Sequence, residues 1–273
     1  MDDENFELLK SEVDSIKIQL AKESGSWMSK PSNIMALVAL LFSFGTTLVS
    51  AYNSYTQDIR ENRKEARQLI QRLSKLPIEN FELTERYKEK GAGQALSSML
   101  NQENIVVAIQ AAELIERFPS SFSSSELQAV GAALASSNIS HKVPMLYEQA
   151  ILKAETSNDY LVAARSFAAF LFTKGEIEKG NTFFQMALDT WTKFPEENIY
   201  FKNASDFQTY FFWSGAQLSA NNVEKATLLA GKANSILIQL PPGAFTDGLN
   251  NQFAELNINI DRVKNTHPRR GLQ

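Results

Sequence analysis

The 273-residue sequence contains no cysteine and only two histidines. The first absence removes disulfide staples, thiol nucleophiles and cysteine-ligated zinc. The second leaves little for proton transfer: His267 lies in a polar tail and His141 opens a helical stretch, neither with a carboxylate or nucleophile at a recognisable spacing. The phosphate-cradling GxxxxGK[ST] loop and the GxGxxG, HExxH and GxSxG patterns are missing as well. Strong charge of either sign is also lacking. A net charge of −4 and a pI of about 5.4 give no general electrostatic reason for a nucleic-acid partner. These absences predict a protein that is not an enzyme, carries no cofactor or metal, and does not bind nucleic acid. With 44% hydrophobic residues, the chain has enough apolar material for a folded core.

That apolar material is uneven. Mean hydropathy is −0.24, yet no charged residue occurs from Pro31 to Gln57. The centre of this stretch, Ile34 to Tyr52 (IMALVALLFSFGTTLVSAY), would span roughly 28 Å as a helix, close to the hydrocarbon thickness of a bilayer. Trp27 and Lys30 precede it, and Tyr52, Tyr55, Asp58 and Arg60 follow, the aromatic-then-charged edging of a membrane interface. A single transmembrane helix is predicted over residues 30–57, with its core at 34–52. Lys17, Lys22 and Lys30 lie before the span; Arg60, Arg63, Lys64, Arg67 and Arg72 lie after it. The excess of positive charge stays on the cytoplasmic side, so the C-terminal domain is expected in the cytoplasm.

Upstream, Phe6, Leu9, Val13, Ile16 and Leu20 alternate at spacings of three and four, the seam of a short coiled coil over residues 1–29. Within the span, Ala36, Ala39, Ser43, Thr47 and Ser50 place small residues along one helical face, which allows membrane helices to approach closely. Seam and small face together predict a homo-oligomer, with Phe6, Leu9, Val13, Ile16, Leu20, Ala39, Ser43 and Thr47 as its contacts. Residues 58–77 read as a charged helical stalk with Ala66, Leu69, Leu73 and Leu76 on one stripe, ended by Pro77.

From residue 84 to 264 the apolar spacing is helical throughout. Four segments align when Ala112, Ala150, Ala187 and Ala233 are superposed. Nineteen residues before each stands a small residue: Gly93, Gly131, Ala168 and Ser214. Three residues before each alanine stand Ile109, Tyr147, Phe184 and Ala230. The fullest copy, residues 161–195, has Phe167, Ala168 and Leu171 on a first helix, Gly175 in the turn, and Phe184 and Ala187 on a second.

This pattern resembles the tetratricopeptide repeat, in which a small residue on the first helix admits a large residue and an alanine of the second. The spacings of 38, 37 and 46 residues between the aligned alanines depart from that family's 34-residue period. The resemblance implies an all-α fold: a solenoid of about four helical hairpins over residues 78–240, a capping helix over 241–264 and a tail over 265–273. It also implies a concave face lined by first-helix positions. Carried over residue by residue, these are Gln128, Arg165, Ala169, Phe172 and Phe211. The consecutive aromatics Tyr210, Phe211, Phe212 and Trp213 cannot all share one buried stripe, so some are free to meet a neighbour or a ligand. The expected function is a membrane-anchored scaffold that binds a protein or peptide. The alternative is a sensor-effector whose repeats detect a signal and whose span acts on the membrane.

Overall fold

The computed structural model describes residues 10–15, 17, 18, 31–87, 92–137, 139–195 and 198–266, with side chains of 31–38 and 266 outside that set. All regular structure among the described residues is helical, without a strand. The chain divides into two units, Met1–Glu61 and Asn62–Gln273.

In the first unit residues 10–15, 17 and 18 are helical, and a long helix α1 (Pro31–Tyr87) begins. Of the expected oligomer contacts, Phe6, Leu9, Ile16 and Leu20 lie outside the described residues. Val13 is 38% exposed, and Ala39, Ser43 and Thr47 are exposed. Among the described residues no helix is long and apolar enough to cross a membrane, so the expected span finds no support there. The segment's side chains at 34–38 fall outside the description.

In the second unit the expected end of α1 at Pro77 is corrected: the helix runs through it to Tyr87. An internal proline removes a donor and crowds the preceding turn, at a cost of about 3 kcal/mol. Packing offsets that cost. Ala66, Leu73 and Leu76 are buried in one cluster with Val107, Ala108, Ala111 and Ile115 of α2 (Gly93–Arg117). Arg72 binds Glu103 of α2 through Nε at 2.7 Å and Nη2 at 3.1 Å, and its Nη1 binds Glu79 at 2.6 Å. Asn80 and Asn101 pair at 3.4 Å. From residue 72 to residue 80 of α1 the partner on α2 steps back from 103 to 101, so the two helices run antiparallel. The charged helical stalk expected over residues 58–77 thus packs part of its length against α2.

The first aligned copy is corrected by the same arrangement. Gly93 and Ala112 lie on one helix, α2, because nothing between them breaks it: no glycine or proline follows Gly93 before Pro119.

Beyond α2 come a 3₁₀ turn (Pro119–Ser121) and helices α3 (Ser124–Ser136), α4 (Val143–Leu152), α5 (Ser157–Thr173), α6 (Ile177–Leu188), α7 (Thr190–Lys193), α8 (Ile199–Ser219), α9 (Val223–Leu237) and α10 (Ala244–Thr266). The pairs α3/α4, α5/α6 and α8/α9 are hairpins, and one backbone bond is common to their turns. The amides of Ile139, Glu176 and Asn222 donate five residues back to the carbonyls of Leu134, Leu171 and Gln217, at 2.9–3.0 Å. These are the same positions relative to Ala150, Ala187 and Ala233. Gly175 and Asn221 fill the left-handed position at φ 76° and 62°. Ser123 starts α3 with a reciprocal capping box to Glu126, Thr156 caps α5, and Asn198 caps α8.

The aligned small residues are where helices cross. Gly131, Ala168, Ser214, Ala150, Ala187 and Ala233 are buried, and so are Tyr147, Phe184 and Ala230. Helix α10 follows Pro241 and Pro242 as expected and buries Leu249, Phe253, Leu256 and Ile260 against α8 and α9, while Phe245 is 60% exposed.

Candidate functional site

Gln128, Arg165 and Phe211 occupy one register position, 22 residues before their hairpin's reference alanine. Two of them link consecutive hairpins. Gln128 Nε2 donates to Ser124 Oγ at 2.9 Å and to the Asp159 carbonyl at 3.0 Å, tying α3 to the first turn of α5. Arg165 Nη1 donates to Gln208 Oε1 of α8 at 3.1 Å, and the guanidinium lies 5.8 Å from the centre of the Phe212 ring. Burial lowers the Arg165 pKa to about 10, against an opposing pull from Asp206. Phe211 is half-buried, its ring 6.0 Å from Phe207 and 5.5 Å from Phe212. It seals the α8–α10 core more than it faces solvent.

Ala169 is exposed. Its equivalents 18 residues before the reference alanines are Ala132, exposed, and Gly215, half-buried. Small residues recur at this position. Phe172 is a correction: it is only 9% exposed. Its ring packs on Phe184 at 5.9 Å and lies beneath Gly180, where a Cβ would sit 2.5 Å from it. The reason is that the second helix of this hairpin has a glycine at the crossing, and the ring fills the space a side chain would take. Thus Gln128, Arg165, Ala169 and Phe211 fall on or beside the first-helix face, and Phe172 does not.

Sequence reasoning missed the polar and aromatic residues beside this face. Trp191 Nε1 donates to Asp206 Oδ1 at 2.7 Å, joining α7 to α8. Burial raises the Asp206 pKa above the ordinary aspartate range, partly countered by that bond and by Lys202 and Arg165. The Tyr160 and Phe194 rings are tilted against each other at 5.8 Å, with Lys193 Nζ 4.6 Å from the Tyr160 ring. Phe212, singled out only as one of four consecutive aromatics, is the one left half exposed; Trp213 is buried, its Nε1 donating to Asn181 Oδ1 at 2.8 Å. The sequence offered a signal for Phe212, since four aromatics at 100° steps must include an outward one. It offered none for Trp191 and Asp206, which meet across the 15 residues that hold the α7–α8 connection.

No family model, curated protein or solved structure matches this chain. Among the described residues no cluster of histidines and carboxylates is arranged to hold a metal ion.

Proposed function

We propose that the protein is a membrane-anchored adaptor, homo-oligomeric through its N-terminal segment, whose tetratricopeptide-like hairpins hold a segment of a partner protein along the first-helix face. The observation that carries this reading is the recurrence of Ala132, Ala169 and Gly215 at one register position, beside an exposed Phe212 and the guanidinium of Arg165. Small residues leave backbone-deep room, and the aromatic and the cation offer anchoring chemistry of the kind that dominates interface energetics.

Support for the anchor comes from the exposed apolar side chains of α1. Leu40, Leu41 and Phe42 are 52, 60 and 74% exposed and, at about 100° per residue, point three ways around the helix. The hydroxyls of Thr46 and Thr47 both donate to the Ser43 carbonyl, at 2.9 and 2.8 Å, so they need no water. Ala39, Ser43 and Thr47 remain the proposed contacts between copies of this helix. The cytoplasmic side is proposed for the hairpins on the positive-charge excess after residue 58.

A photo-crosslinking amino acid at Ala169 in the membrane-bound full chain tests the reading, with one at exposed Lys179 as control. The adaptor predicts a discrete adduct from Ala169 only, lost in Phe212→Ala. Indistinguishable adduct patterns from the two positions would refute it. Release of the chain from vesicles by alkaline washing would refute the anchor.

A further inference from the structure

The open cavity between α6, α7 and α8 has a volume of about 440 Å³ and is walled by Leu188, Asp189, Trp191, Lys202, Asp206 and Tyr210. We propose that it binds an ammonium group, carried by a small amine or by a lysine side chain of a peptide. The inference does not depend on the adaptor reading.

The chemistry of the walls carries it. Asp206 Oδ1 accepts the Trp191 indole at 2.7 Å, and Asp189 Oδ1 accepts Gln185 Nε2 at 3.0 Å. Among the described residues each carboxylate keeps its second oxygen free of protein donors, and neither forms an ion pair. If Asp206 served only to fix Trp191, an amide oxygen would accept the same bond without the cost of a half-buried charge. The retained charge matches a cationic ligand. An indole and a phenol line the same cavity; the Tyr210 ring already has Lys232 Nζ 5.5 Å from its centre, which leaves the indole, the stronger attractor of cations, to the ligand. Arg165, the nearest guanidinium, is turned instead to Gln208 and Phe212. Lys202 is the one cation in the lining and makes no ion pair among the described residues, so it acts as a competitor that a bound ammonium must tolerate. The volume lies within the range of small-ligand pockets, about 300–1,000 Å³.

Isothermal titration of the full 273-residue chain with n-butylammonium and with Nα-acetyl-lysine methylamide tests this, with the neutral norleucine analogue as control. Both ammonium probes should bind and the norleucine probe should not. Asp206→Asn should weaken binding about tenfold, the loss of one charge-assisted bond. Lys202→Met should strengthen it severalfold, which a purely structural role for this cluster would not do. Tighter binding of the lysine derivative assigns the site to peptides, and equal binding assigns it to free amines. Absence of binding at about 10 mM, beyond the weak millimolar range, overturns the proposal, as does equal binding of norleucine or an unchanged Asp206→Asn. Should Asp206→Asn fail to fold by circular dichroism, Asp189→Asn takes its place with the same expected direction.

Discussion

Among the described glycines Gly180 has the least room for a side chain, and replacing it with alanine should lower stability even though alanine is the better helix former. The added Cβ would stand 2.5 and 2.7 Å from two ring carbons of Phe172 and 3.1 Å from the Ala168 carbonyl oxygen. Phe172 is 9% exposed and packed on Phe184 at 5.9 Å, so its ring gives way only by giving up that packing. Overpacking of this kind costs about 1–3 kcal/mol, while alanine gains about 1 kcal/mol over glycine inside a helix. The net loss is up to about 2 kcal/mol, a fall in Tm of up to about 8 °C for a domain of this size. Gly231 provides the opposite sign. It is exposed within α9 with nothing within 4 Å of a Cβ, so Gly231→Ala should raise stability by about 0.5–1 kcal/mol. Thermal and urea denaturation of the full chain, followed by circular dichroism, measure both. Adding Phe172→Leu to Gly180→Ala should recover part of the loss non-additively. A Gly180→Ala protein that melts at or above wild type would refute the close-crossing account.

Other perturbations follow from the same geometry. Gly175→Ala should lose about 1 kcal/mol despite open space around it, because φ of 76° is strained for any side chain, whereas Asn221→Gly at φ 62° should hold or gain; melting curves read both. Asn181 Oδ1 accepts Trp213 Nε1 at 2.8 Å and fully buried Gln217 Nε2 at 2.6 Å, so Asn181→Ala leaves two donors unpaired and should cost about 2–3 kcal/mol in urea denaturation. The bond from Arg72 holds Glu103 below the ordinary glutamate range. Its contribution to stability is therefore present above that range and is lost as pH falls through the lowered value. Arg72→Gln should flatten the acid limb of the stability–pH curve, and an unchanged limb would count against the pairing.

Much of the hairpin register was readable from sequence because it is steric. Gly131, Ala168, Ser214 and the three alanines are small where helices cross, and that requirement leaves a mark at fixed spacing. The capping helix was readable from Pro241, Pro242 and the period of Leu249, Phe253, Leu256 and Ile260. The first hairpin was not. Pro77 reads as a stop by local rules, and only burial of Leu73 and Leu76 on α2, a tertiary contact, carries the helix past it. Gly93 looked like a crossing residue because the alignment supplied Ala112 nineteen positions on, yet no breaker separates them. Phe172 was assigned to the groove by register, and the absent side chain at Gly180 drew its ring inward. The meeting of Trp191 with Asp206 depends on how the short α7 turns the chain, which no periodicity encodes.

The common turn closure has an evolutionary consequence. Each of the three hairpins keeps nineteen residues from its small crossing residue to its alanine, while successive alanines stand 37 and 46 residues apart. An insertion inside a hairpin would rotate one helix's apolar stripe away from the other; an insertion in the connector containing α7 leaves every crossing in place. Length variation among descendants of such a chain should therefore collect between hairpins, and new surface features should arise there.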